Sequence, residues 1–273
     1  MRTDERPPRP RALTIAGSDS GGGAGIQADL KTFSAFGVYG MTAITAVTVQ
    51  NTKGVAGYEE VSPDTVADQI RAVVTDIGVD AAKTGMLASS AIIEAVADAV
   101  GDTGVPNLVV DPVFVSKHGH PLLAEDAVGT LRSRLLPLAT VVTPNLPEAA
   151  GLAGFRVESR DDMRRAAEAI LALGPRSVLV KGGHLEGART AADLYADGQR
   201  EEWVEAERIA TPHTHGTGCT LSSAITARLA IGDELLEAVR AGKAFVTEAI
   251  RHALALGEGI GPVDQLWSTR PAR

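Results

Sequence analysis

The sequence predicts an α/β fold of three layers (α/β/α), with a mainly parallel central sheet and an antiparallel hairpin at one edge. Three observations carry that expectation. Short β-branched runs recur along the 273 residues, longer amphipathic patterns separate them, and the alternation breaks once, after Lys181. Repeated βα units give parallel strands because each helix returns the chain across one face of the sheet.

In chain order, Leu13 to Ala16, Thr42 to Val49, Asp80 to Thr84, Leu108 to Val110, Val141 to Thr143 and Val178 to Lys181 read as strands. Helix starts are written between them: Ser62 can cap ahead of Pro63, and Ser159 stands before Asp161-Asp162. Gly174-Pro175 is a stop signal. After Lys181, Ala192 to Tyr195 and Glu202 to Val204 flank Asp197-Gly198, which reads as a tight hairpin and places a sheet edge there. Two helices follow, Thr217 to Ala230 and Asp233 to Ala255, with no internal repeat or linker. The expected organisation is a disordered tail over 1–11 and a single domain over 12–273.

A hydrophobic content of 44% and a charged content of 22% are those of a chain able to bury a sizeable core. The net charge of -8 argues against binding nucleic acid or an anionic membrane, since both require a basic footprint, and favours a small-molecule substrate. No apolar run has transmembrane length and the Pro/Arg start lacks a signal-peptide core, so a cytoplasmic protein is expected. Cys219 is the single cysteine, which excludes an internal disulfide and a Cys-rich zinc site.

The stretch from Gly17 to Gly25 follows the first strand and opens a helix, superficially like a dinucleotide fingerprint. The acidic residue that would hold a ribose is missing, and Gln50-Asn51 end the second strand instead. A Walker loop fails at Lys83-Thr84, where Ala82 stands in place of Gly. So many glycines in one loop suit close approach of backbone to a ligand. The sharper signal is His215-Gly216-Thr217-Gly218-Cys219-Thr220, leading straight into a helical pattern. Unpaired N–H groups and the helix dipole at such a start welcome phosphate oxygens. The same place lowers a thiol's pKa, so Cys219 is a candidate base for a substrate hydroxyl; an inert buried cysteine is the other reading.

Asp111, Glu148 and Lys181 each stand at or just past a strand end, where open α/β sheets bind ligands. Singly, each fits a capping or surface role. Together they suit phosphoryl transfer, which relies on positioning and charge neutralisation: the two carboxylates would hold magnesium and Lys181 would meet phosphate. The pairs His118/His120 and His213/His215 lack helical metal-ligand spacing and read as loop contacts, and His252 reads as a surface residue.

Taken together, Ala16-Gly17-Ser18-Asp19 with its following glycines, Gly25 to Thr32, Gln50-Asn51-Thr52, Gly85-Met86-Leu87, Thr143 to Glu148, Lys181-Gly182-Gly183-His184 and His215 to Thr220 resemble the hydroxymethylpyrimidine/phosphomethylpyrimidine kinases. The resemblance runs from Ala12 to Val263. It implies a ribokinase-like fold, a homodimer, and ATP- and magnesium-dependent phosphorylation of the thiamin pyrimidine, first at its hydroxymethyl group and then at the monophosphate. Residue by residue, it places Gly17, Asp29, Gln50, Met86 and Val113 around the pyrimidine, Asp111 and Glu148 near magnesium, and Lys181, Thr217 and Gly218 on the nucleotide phosphates. Cys219 becomes the base, with Gly216 and Gly218 in the anion hole. A carboxamide such as Gln50 offers the donor and acceptor that an aminopyrimidine edge needs. Phe114 departs from the family's usual Met. A pyridoxine/pyridoxal kinase of the same fold, against which Gln50-Asn51-Thr52 speaks, and a non-catalytic pyrimidine-binding module are the alternatives.

Overall fold

The structure, a computed structural model, describes residues 9–117, 119–124, 126–183, 185 and 190–270. The expected disorder of residues 1–8, and the positions of His118 and His184, lie outside the described residues. The chain runs β1 (Arg11–Ser18), α1 (Gly25–Ala35), β2 (Tyr39–Asn51), β3 (Gly54–Glu60), α2 (Pro63–Asp76), β4 (Ala81–Thr84), α3 (Ser90–Thr103) and β5 (Leu108–Val110). It continues through α4 (Ala127–Thr130), β6 (Val141–Val142), α5 (Leu146–Ala153), α6 (Arg160–Leu171), β7 (Val178–Lys181), β8 (Thr190–Ala196), β9 (Glu201–Glu207), α7 (Thr217–Ile231) and α8 (Leu235–Arg251).

The nine strands among the described residues join one sheet in the order β3-β2-β1-β4-β5-β6-β7-β8-β9. The strands from β2 to β7 pair in parallel, and β8 and β9 form the expected antiparallel edge. The opposite edge differs from expectation. There β3 turns back antiparallel on β2. Its Gly54-Val55-Ala56-Gly57 start lacks the β-branched run that signals a strand, so pairing with β2 rather than local propensity makes it one.

Successive strand residues face opposite layers. Leu13, Ile15, Val110, Val142, Val178 and Val180 pack toward α2, α3, α5 and α6, whereas Ala12, Val109, Val141 and Leu179 meet α1, α7 and α8. Both faces are buried, which explains why these strands read as unbroken apolar runs. The caps behave as expected: Ser62 accepts from the Thr65 N–H at 3.4 Å and Ser159 from the Asp162 N–H at 3.1 Å.

Two boundaries shift. Arg11 is not part of a tail: it opens β1, and its side chain pairs with Asp80 at 2.8 Å. Helix α8 stops at Arg251 rather than Ala255, because the chain there turns back to bond Leu254 N–H to the Pro262 carbonyl and lays residues 261–265 beside the loop before α7.

Candidate active site

The sheet order reverses at β1, whose neighbours are β2 and β4; a crevice opens at such a switch point beyond the carboxyl ends of the strands. A cavity of about 1300 Å³ fills it, reaching from Gly17, Gln50 and Met86 across Cys219 to Lys181 and Glu148. That volume exceeds what one small ligand needs and suits two bound side by side.

Two glycine loops form its wall. A Cβ on Gly216, at φ 80°, would overlap the Gly23 carbonyl, and one on Gly25 would overlap that of Gly17. These glycines are therefore demanded by loop packing against loop, not by a ligand alone. Gly218 is different. A Cβ there would lie 3.5 Å from Lys181 Nζ and 3.6 Å from Asp111 Oδ2, in a hollow that the missing side chain leaves open.

At the start of α7 the N–H of Thr220 bonds the Gly216 carbonyl, while those of Gly218 and Cys219 have no protein acceptor among the described residues. They are the free donors of the expected anion hole. Thr217 also lines the cavity, but its N–H and hydroxyl hydrogen both go to the Thr214 carbonyl, at 3.3 and 2.8 Å, so it adds no free donor to those two.

Opposite these donors, Lys181 Nζ lies 2.9 Å from Asp111 Oδ1 and 3.9 Å from Glu148 Oε2. Burial pushes the Asp111 carboxyl up, but Lys181, Lys83 and the Thr143 hydroxyl more than offset it and hold it below its ordinary value. Glu148 goes the other way. Burial, opposed by Lys181 and reinforced by Asp111, raises it to about 7. Glu148 is also the N3 residue of a capping box, its carboxylate accepting the Asn145 N–H at 2.8 Å, so the capping role and the site role coincide. For Lys181, burial works against the charge, but Asp111 and Glu148 hold it above the ordinary ammonium range.

A family model described as phosphomethylpyrimidine kinase matches residues 19–264. The chain belongs to the phosphomethylpyrimidine kinase family. The hydroxymethylpyrimidine/phosphomethylpyrimidine kinase of Streptomyces coelicolor is 56% identical over 259 residues, 95% of either chain. Among solved structures, an ADP complex of Bacillus subtilis pyridoxal kinase is similar at a TM-score of 0.89 and 44% identity, covering 95% of this chain and 98% of that one. Phosphomethylpyrimidine kinase from Clostridium difficile 630 gives a TM-score of 0.78 and 48% identity over 88% of this chain and 99% of that one. Both carry the ribokinase-like fold that the resemblance implied.

Of the acceptor-side residues expected in this family member, Gly17, Gln50, Met86 and Val113 line the cavity. Asp29 does not. It is fully buried beneath the floor, its carboxylate taken up by Lys83 Nζ at 2.9 Å, Thr14 Oγ1 at 2.6 Å and Ser223 Oγ at 2.5 Å. Lys83, passed over because its loop fails as a phosphate cradle, is the residue that sequence reasoning missed. No sequence signal marked it, since only the fold brings β4 under α7.

The lowered thiol pKa expected for Cys219 requires correction. Burial pushes its thiol up to about 11; Lys83 pulls down, while Asp29 and Asp111 push further up and the Gly25 N–H helps the thiolate. The helix start does not prevail, because burial removes the thiolate from water and the two aspartates add to that cost. Phe114 fits its new neighbours: its ring sits where a Cβ on Gly151 would be.

Proposed function

We propose that this protein is an ATP-dependent kinase of hydroxymethylpyrimidine and of its monophosphate, one cavity serving both steps. The observation that carries this reading is the convergence of Lys181, Asp111 and the free N–H groups of Gly218 and Cys219 at one end of a cavity whose other end holds Gln50 and Met86. The chain's own groups have distinct parts. Lys181 and the α7 N–H groups meet charge on the transferring phosphoryl, Gln50 pairs with the aminopyrimidine edge, and Met86 and Val113 wall its ring.

Magnesium fits the donor chemistry. Two hard carboxylates flank Lys181, and the raised Glu148 carboxyl is a buried one whose ionised form Lys181 neutralises only in part. Asp111 and Glu148 would hold the ion, and when bound it would neutralise phosphate charge.

Cys219 remains the proposed proton acceptor for the hydroxymethyl group, acting through the small thiolate fraction. We further propose a cytoplasmic homodimer; no helix among the described residues is long and apolar enough to cross a membrane. Val47 and Val49, 52% and 65% exposed on β2, offer an apolar face that a second copy would cover, and light scattering checks the dimer.

Pyridoxal kinase activity is the second reading, favoured by the similarity to the Bacillus subtilis enzyme. An ADP-release assay offering hydroxymethylpyrimidine, its monophosphate, pyridoxine and pyridoxal decides between them. The first two should give the highest kcat/KM; preference for pyridoxal would reverse the assignment.

A further inference from the structure

Gln50 can read a pyrimidine edge in one direction only if something fixes which end of its carboxamide is oxygen. Three neighbours do so. His215 is buried, with Nε2 2.9 Å from Asp19 Oδ2 and 3.3 Å from the Gln50 carboxamide. Asp19 also accepts the N–H groups of Gly21, Gly23 and Ala24 at 2.8, 3.0 and 2.8 Å. Burial would raise its carboxyl, but His215 and these N–H groups outweigh burial and hold it below the ordinary value. An ionised Asp19 requires a hydrogen on His215 Nε2, whatever Nδ1 carries.

That hydrogen decides the carboxamide. With the Gln50 nitrogen toward His215, two N–H donors would oppose each other, and Gln50 oxygen would compete with the Ser18 carbonyl, 2.8 Å away, for the single Thr48 hydroxyl hydrogen. Exchanging the two ends removes the donor–donor clash: oxygen shares the His215 Nε2–H with Asp19 Oδ2, and nitrogen donates to Thr48 Oγ1, whose own hydrogen stays on the Ser18 carbonyl. The main chain is equally fixed, since Gln50 N–H and carbonyl both bond Ser20 Oγ, at 2.8 and 2.7 Å.

We propose that Asp19 and His215 are positioning residues that lock the Gln50 carboxamide, so that the site takes 4-aminopyrimidines and rejects their 4-oxo counterparts. An aminopyrimidine edge offers a donor, the amino group, beside an acceptor, the ring nitrogen. The 4-oxo ring offers the reverse order, and a locked carboxamide cannot turn to meet it. The amino group then points to the His215 side of the cavity and the ring nitrogen to the Thr48 side. The inference rests on the pyrimidine reading above.

The test compares kcat/KM for the amino and oxo forms of hydroxymethylpyrimidine in the wild type and in His215→Phe, which keeps a ring but loses the donor. Release of the lock lowers the amino-over-oxo preference by about tenfold. Loss of rate on both acceptors with the preference unchanged would mean that His215 only shapes the loop, and would overturn the proposal. Nitrogen-15 NMR of the His215 ring in wild-type enzyme is the second arm and needs neither a folded variant nor turnover. A proton on Nε2 is expected, and a neutral ring protonated on Nδ1 overturns the lock. A wild type that uses neither acceptor refutes the pyrimidine reading, while the ring spectrum still tests the lock on its own.

Discussion

Lys83 and Lys181 each hold an aspartate at 2.9 Å, and the fold uses the two pairs differently. The Lys83–Asp29 pair is fully buried, and hydroxyls of Thr14 and Ser223 take the remaining carboxylate valence. The Lys181–Asp111 pair keeps 15% of the lysine side chain accessible and has Glu148 as an incompletely neutralised neighbour. Equal distances therefore say little about role. What separates a structural pair from a site is whether the groups around it still lack partners.

The largest expected effect breaks the sealed pair. Lys83→Met leaves a buried, unpaired Asp29 and should cost about 3 to 5 kcal/mol, or about ten degrees in Tm, by calorimetry. Lys181→Met should leave Tm much closer to wild type while lowering kcat roughly 100- to 1000-fold, the scale of losing a group aimed at transition-state charge. Equal losses of Tm would erase the distinction between the pairs.

Cys219, which lies between the pairs, should report on the chemistry through pH. Far below a pKa of about 11, the thiolate fraction grows about tenfold per pH unit. The first phosphorylation should follow that slope between about pH 6.5 and 9, and Cys219→Ala should lose roughly 100-fold in it. The second step attacks through an oxygen already ionised near neutral pH, so it should lose much less and show no such slope. A flat profile for both steps would remove Cys219 as base.

Glu148 sharpens the comparison from the side of stability. Its folded pKa is raised to about 7, so the folded state holds its proton more tightly than the unfolded chain. The stabilisation is complete below the ordinary carboxyl pKa and is lost as pH rises through about 7. Without divalent cations, Glu148→Gln should therefore gain on the order of 2 kcal/mol over wild type between pH 5 and 8, read from melts at the two values. Magnesium should restore the wild type at pH 8 and do little for the variant. No difference between the two proteins would place the open valence elsewhere.

A smaller change is expected at the acceptor end. Gln50→Leu should raise KM for hydroxymethylpyrimidine by an amount equivalent to about 1 to 3 kcal/mol with KM for ATP nearly unchanged, in steady-state kinetics. Unaltered pyrimidine kinetics would remove Gln50 from ring recognition.

Much of this was legible in the sequence because it depends on local pattern. Apolar strand runs, Ser caps and the Gly216-Thr217-Gly218 helix start each state their structure within a few residues. The edge strand β3, the burial of Asp29 and the role of Lys83 were not legible, because each follows from pairing between distant segments. The thiol shows the limit most clearly. Its helix-start position predicts a lowered pKa, but burial under the fold reverses the sign, helped by Asp29 and Asp111, which lie 190 and 108 positions earlier in the chain. His215 was read as a loop contact, and its carboxylate partner Asp19 stands 196 positions away.

The central claim is that a single cavity carries out two successive phosphorylations of one pyrimidine. The direct measurement follows hydroxymethylpyrimidine, ATP and magnesium with purified enzyme by phosphorus-31 NMR, quantifying acceptor products and ADP together. The account predicts a monophosphate that rises first, a diphosphate that replaces it, and two ADP formed per pyrimidine consumed. ADP release without pyrimidine phosphate, or no turnover of this acceptor while pyridoxal is phosphorylated, would contradict it.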